Sequence, residues 1–365
     1  MSWAALIASS TIDAARSGRH FYLVALVGVK MKRFLALGLT AWLAACQTPG
    51  YDYAARTAPN FPEALNYTDV AVGRFEGPAS DVAAAEFDAL IASTELEGRP
   101  WFVVLDPAQP QGIYEGNVNV TGYRGEVRYE RQSECVEYDA PFDCERRAIV
   151  ESECLKEIVD ISVDLRLIDT ATRRTVFTSG RGGTTEREDC FEVAEYQGTD
   201  QSTGQYGPTI YETYSPYDAP YGMIREAVPA AIAGFRTDIA PFIASFRAEI
   251  VTKPLVGEEA GDPRFAAAVQ ATKRGEFIGA CAQWQELAAA YPNAPGIQHN
   301  QGACAEARGD LTTAHAQYAK AAELARGIPL LKDKDAKAIF DALGRVSKGR
   351  YDDILIDQAK DPGGS

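Results

Sequence analysis

The sequence predicts an α+β protein, a mixed β-sheet with packed helices, followed by an all-α module of helical hairpins. Three observations carry that reading. Residues 157–169 (EIVDISVDLRLID) place Val159, Ile161, Val163, Leu165 and Leu167 on one face and Asp160, Ser162, Asp164 and Arg166 on the other, the period of a half-buried strand. Ile224, Val228, Ile232, Phe235, Ile239, Phe242, Ile243 and Phe246 recur three or four apart, a stripe that would pack on a sheet. Residues 262–327 repeat at an offset of 34, matching Arg274 with Arg308, Gly275 with Gly309, Phe277 with Leu311, Ala280 with Ala314 and Trp284 with Tyr318.

The elements follow in order. Tyr67–Phe75 reads as a strand, broken by Gly77-Pro78. Ser80 is a helix N-cap, and Ala83, Ala84, Phe87, Leu90 and Ile91 hold helical spacing to about Thr94. Trp101–Leu105 is a second strand after a turn at Gly98. Val118–Glu130 alternates in part, and a loop at Pro141 leads to Arg146–Cys154. Thr170–Arg174 turns the strongest strand back into Thr175–Ser179. Residues 195–221 carry six tyrosines among Gly, Ser, Thr and Pro; they are either a partner-contact loop built on Tyr206, Tyr211, Tyr214 and Tyr217, or an irregular cover over the sheet or plain disorder. Gly222–Ile250 keeps a helical period and is expected to form two or three shorter helices, interrupted at Pro229 and Pro241, with a linker over 251–261. Ala338, Ile339, Ala342, Leu343 and Val346 mark a capping helix within 328–350, followed by a loose tail over 351–365.

Ahead of this lies Met31–Gln47, MKRFLALGLTAWLAACQ: two cations, an apolar run, then Leu43-Ala44-Ala45-Cys46. That layout is a secretory signal, and its end is similar to the bacterial lipobox. The resemblance implies a signal peptide over 31–45, acylation of Cys46 as the first mature residue, and, with Gln47 rather than Asp next, an outer-membrane lipoprotein facing the periplasm. Residues 1–30 then stand outside the native chain, and 46–65 would be lipid anchor and tether, with the first domain over 66–250. Removing residues 1–45, with five cations and one anion, takes the net charge from −15 to −19. Such acidity disfavours nucleic acid as a partner; lipid would hold the membrane.

In an oxidising compartment an even cysteine set reads as disulfides. Cys135 and Cys144 flank the turn-prone Asp139-Ala140-Pro141, and Cys154 and Cys190 lie symmetrically about residue 172, so bridges 135–144 and 154–190 are expected among three possible connectivities. Cys281 and Cys304 are either a third bridge or two buried thiols. No CxxC occurs, and the mature chain holds only His299 and His315, which leaves no metal, cofactor or nucleophilic triad to name.

The order of elements, carried by DVAVGRFEG (69–77), GRPWFVVLDPAQ (98–109) and VDISVDLRLIDTATRRTVFTSG (159–180), resembles the CsgG family of curli-secretion lipoproteins and the amino-terminal domain of TolB. The 34-residue repeat, with Gly302 at the motif glycine and Ala268 in its place in the first copy, resembles the tetratricopeptide (TPR) repeat. These resemblances imply a non-enzymatic scaffold or accessory in envelope assembly or secretion. Envelope proteins would be held by the TPR groove and the Tyr-rich loop, with homo-oligomers possible. The alternatives are a CsgG-like oligomeric export component, an activator of a peptidoglycan synthase, and an unrecognised periplasmic enzyme. A lipid-spanning pore needs long alternating strands, which 195–221 lacks, and the acidic stretch around Cys135–Glu145 would be costly in hydrocarbon.

Overall fold

The alternation of residues 157–169 becomes the proximal half of a much longer strand. The computed structural model describes residues 48–102, 110–140, 143–197, 204–205, 208–255, 257, 259–328 and 332–360. In chain order the strands are β1 (Gly50–Thr57), β2 (Val70–Glu76), β3 (Glu95–Leu96), β4 (Arg99–Pro100), β5 (Gly112–Ala140), β6 (Asp143–Asp169), β7 (Thr175–Gln197), β8 (Gly204–Gln205), β9 (Ile210–Thr213) and β10 (Phe242–Glu249). The helices are α1 (Ser80–Ser93), α2 (Tyr221–Ala233), the single turn α3 (Arg236–Ile239), α4 (Pro263–Lys273), α5 (Phe277–Ala290), α6 (Pro295–Ala307), α7 (Leu311–Arg326) and α8 (Asp333–Lys360).

The main sheet runs β2-β5-β6-β7, with β2 parallel to β5 and the other pairs antiparallel; β8 and β9 add to the outer edge of β5 beyond β2. The inward residues of β6, from Val159 to Leu167, are buried against α1 and α2 with Phe87, Tyr114, Met223, Val228 and Phe235. At about 25 cal/mol per Å² of apolar surface, these side chains supply the main drive for this half of the fold. The entry to α1 is sterically fixed. Gly77 has φ +88°, and a Cβ there would stand 2.0 Å from the Val118 carbonyl oxygen, so only glycine fits. Asp169 closes the β6–β7 turn by accepting from the Thr172 N–H at 2.6 Å and its hydroxyl at 2.7 Å.

Several expectations are corrected. Gly50–Thr57, read as tether, is a strand paired over its full length with β10. Phe242–Glu249, read as helix, is that partner; its Phe242, Ala244, Phe246 and Ala248 also obey a period of two, and pairing decides between the periods. Residues 351–360 are no tail: α8 continues to Lys360, and Ile356 is fully buried in the main core while Ala342 and Val346 of the same helix are buried among the C-terminal helices. Of the strand expected over 101–105, Trp101 and Phe102 are buried but lie outside any strand, and the remainder falls outside the described residues.

The C-terminal region is helical. α4 packs on α5, α6 on both α5 and α7, and α7 on α8. Gly275 and Gly309, 34 apart, both end a helix at positive φ, 75° and 78°. Their companions Ala280/Ala314 and Trp284/Tyr318 are fully buried, and the ring of Tyr318 packs against Gly302, where a Cβ would come within 2.8 Å. The described residues from Gly50 onward form one compact unit.

Candidate functional site

Two regions gather the polar and aromatic chemistry of the chain. The first is the distal part of the sheet. β5, β6 and β7 are 29, 27 and 23 residues long, so at ~3.3 Å per residue β5 spans roughly 95 Å. The helices cover only the proximal half. Distally the strands form a three-stranded arm, with register unbroken from Glu126↔Lys156 to Cys135↔Arg147 and from Glu157↔Arg187 to Ser152↔Glu192.

The arm is held largely by cross-strand chemistry, with Ala148, Ile149 and Val150 of β6 also buried. Cys154 and Cys190 are direct cross-strand partners joined by a disulfide, Cα atoms 4.0 Å apart. Cys135–Cys144 staples the distal hairpin, Cα atoms 5.8 Å apart. These coincide with the pairs expected from turn symmetry, and the third pair, Cys281–Cys304, is a disulfide between α5 and α6 rather than two thiols. Ion pairs bridge neighbouring strands, Arg131–Glu151 at 2.5 Å, Lys156–Glu186 at 2.7 Å and Arg146–Glu137 at 3.1 Å, and Arg128 of β5 reaches across β6 to Glu188 of β7. Charges occupy both faces, with Glu126, Arg128 and Glu130 on one and Arg131, Glu151 and Glu153 on the other. Length no longer argues against a lipid-spanning strand. Charge does, at roughly 2–4 kcal/mol for each cation on a lipid face at the bilayer midplane.

The tyrosines separate. Tyr206 lies outside the described residues. Tyr211 is exposed on β9, which pairs with Arg124–Val127 of β5. Tyr214 is not free: its ring packs on Gly125 and lies 4.7 Å from the Tyr123 ring, and its hydroxyl bonds Glu212 at 2.5 Å. Tyr217 is 98% exposed on a turn capped by Ser215. Part of 195–221 is thus a sheet addition, leaving Tyr211 and Tyr217 open to solvent together with Phe191, Val193 and Tyr138 of the arm.

The second region is the groove of the C-terminal helices, and the chain itself fills it. Tyr51 and Tyr53, two apart on β1, enter equivalent positions of the two 34-residue repeats. Tyr51 Oη lies 2.8 Å from Thr272 Oγ1, which also accepts from Trp284 Nε1 at 3.4 Å. Tyr53 donates to Glu306, whose other oxygen accepts from Tyr318 Oη at 2.5 Å. Thr272 and Glu306 are related by the repeat offset, as are Trp284 and Tyr318. Arg345 of α8 completes the second socket, donating to Glu306 from Nε at 2.7 Å and Nη2 at 2.9 Å. Burial pushes the Tyr53 phenol well above its ordinary pKa, and Glu306 adds to the shift. Burial pulls the Arg345 guanidinium down, but its bonds to Glu306 outweigh that and hold it above its usual value.

The chain leaving β10 is gripped next to the sockets. His299 Nε2 donates to the Glu249 carbonyl at 2.9 Å, while Asn300 accepts from the Val251 N–H at 2.7 Å and donates to its carbonyl at 2.9 Å. Both side chains are buried, and burial lowers the His299 pKa to about 4, so it is neutral at physiological pH. The helix surface expected to meet envelope partners is therefore covered in cis by β1 and residues 249–251. Sequence reasoning missed Tyr51, Tyr53, Asn300, Glu306 and Arg345. In the sequence Asn300 and Glu306 stand in a helix that also carries Gln298, His299 and Gln301, so neither is singled out.

Among the described residues, the one His/Cys/Asp/Glu group with metal-like spacing is Cys154, Glu188 and Cys190, whose sulfurs are joined to each other. No helix of the described residues is long and apolar enough to cross a membrane. The expected leader and Cys46 lie outside the described residues.

No protein-family model matches the chain, and no curated protein matches it. Similar solved structures include a Caulobacter crescentus CB15 protein described as a lipoprotein, 13% identical over 48% of this chain and 92% of that one, with a TM-score of 0.22. Another is the PelC dodecamer from Paraburkholderia phytofirmans, 12% identical over 51% of this chain and 98% of that one, with a TM-score of 0.19. Likeness at this level assigns no role to any residue.

Proposed function

We propose that this chain is a non-enzymatic lipoprotein of the bacterial envelope, anchored by Cys46 to the periplasmic face of the outer membrane. It would serve as a scaffold or accessory in envelope assembly or secretion. The observation that carries this reading is the arm: three long strands extending past the covering helices, stapled twice by disulfide and presenting exposed Tyr138, Phe191 and Val193, with Tyr211 exposed on the added strand β9. Solvent-exposed aromatics on a rigid frame suit protein contact, because little side-chain or backbone freedom is lost on binding. Disulfides of this kind persist in an oxidising compartment, which agrees with the lipobox at Leu43–Cys46. The 34-residue recurrence of glycine, alanine and large aromatic supports a tetratricopeptide reading of α4–α7.

A CsgG-like oligomeric export component is the second reading, favoured by strand length and opposed by charge on both faces of the arm. Photocrosslinking groups placed at Tyr138, Phe191 and Tyr211 in cells test both. The scaffold reading expects crosslinks to other envelope proteins; the export reading expects crosslinks between copies of this chain and rings in detergent. An arm that crosslinks to nothing while the protein is exported and folded would defeat both.

A further inference from the structure

The groove of α4–α7 is built to read one kind of ligand. Each repeat offers a polar acceptor at the same position, Thr272 in the first and Glu306 in the second, beneath a large ring, Trp284 or Tyr318. The strand lying across them places a phenol at each, because residues two apart on a strand share a face. Tyr51 is buried, its ring edge-on to Phe277 with centroids 5.1 Å apart, and Tyr53 stacks on Phe246 at 5.6 Å. The β1 main chain is already paired with β10, so the sockets recognise side chains alone. The second socket needs a donor: Glu306 is fully buried, and its partners Arg345, Tyr318 and Tyr53 all donate to it.

We infer that the helical region is a recognition site for extended segments bearing tyrosines at i and i+2, loaded in this chain by its own Tyr51-Asp52-Tyr53. The inference rests on reading α4–α7 as a binding module and names its ligand class. A partner segment of the same pattern enters only by displacing β1. On the lipoprotein reading β1 begins four residues after Cys46, so displacement would also lengthen the chain between lipid and fold.

The test uses the mature protein with Tyr51→Ala and Tyr53→Ala together, which removes the two side chains that hold β1 in the sockets and leaves it open to displacement, and a fluorescent peptide of sequence GYDYAART. The double variant should bind this peptide, should bind GFDFAART at least tenfold more weakly, and should not bind GADAAART; the wild type should bind none of them. A folded double variant that ignores GYDYAART, or takes GFDFAART equally well, overturns the inference. Should the double variant not fold, a protease site inserted between Pro59 and Asn60 of the otherwise wild-type chain lets β1 be nicked in place. Excess labelled GYDYAART must then exchange into the nicked protein, and failure to exchange overturns the inference too. Neither assay depends on the arm, so crosslinking from the arm can succeed or fail independently.

Discussion

Replacing Glu306 with alanine probes the join between β1 and the helices most directly. The carboxylate is fully buried and accepts from Arg345 twice, from Tyr318 and from Tyr53. Removing one partner of a buried pair typically costs about 3–5 kcal/mol. The Arg345 side chain is 27% exposed, so water recovers part of that loss and favours the lower end. The Tyr318 hydroxyl, left without its acceptor, adds about 1–3 kcal/mol. The working expectation is a loss of about 4 kcal/mol. Urea unfolding of the mature domain, followed by helical circular dichroism, measures it. Glu306→Leu combined with Arg345→Met should cost roughly 2 kcal/mol less than Glu306→Ala alone, because no unpaired cation remains. A single-variant loss below about 1 kcal/mol, or equal losses for single and double variants, would refute the socket.

Three further outcomes are expected. The depressed His299 pKa means the unfolded chain binds one more proton between pH 6.5 and about 4, so this contribution is complete above pH 6.5 and is lost as pH falls towards 4; that change amounts to about 3 kcal/mol, and denaturation of His299→Gln across the window should lack it. Replacing Cys154 and Cys190 by serine opens a link of 36 residues, an effect of about 4 kcal/mol in the chain-entropy picture, and proteolysis should become faster in the arm while α4–α7 stay protected. Gly77→Ala should destabilise the sheet domain by at least ~1 kcal/mol in the same urea assay, since its Cβ meets the Val118 carbonyl at positive φ.

What the sequence shows and conceals follows from where the fold's energy lies. The proximal half of β6 and the 34-residue repeat were legible because burial imposes a period on apolar residues, and Val159–Leu167 and Ala280/Ala314 obey it. The distal arm was legible only in part, through Val127, Tyr129, the segment 146–154 and the two cysteine pairs: Glu126–Glu137 and Cys144–Leu155 are charged on both faces, and the ion pairs and disulfides that join them impose no period on the sequence. β1 was hidden for another reason. Tyr-Asp-Tyr-Ala-Ala-Arg beside Thr, Pro and Gly reads as a tether, and only β10 and two distant helices make it a strand. β10 was misread in turn, because without β1 its phenylalanines fit a helix equally well. The same blindness hid Asn300, whose partner Val251 lies 49 residues away, and the bond of Glu306 to Tyr53, 253 residues away.

The central proposal, a lipid-anchored chain folded in an oxidising compartment, rests on seven cysteines, six of them paired in the structure and the seventh ending the lipobox-like run Leu43–Cys46. Intact mass of the protein extracted in detergent from its native cells, after thiol alkylation without reduction, tests all seven together. The account predicts a chain beginning at an acylated Cys46 with no alkylated thiol. A chain that retains residues before Cys46, or one that takes up alkylating reagent on any cysteine, would contradict it.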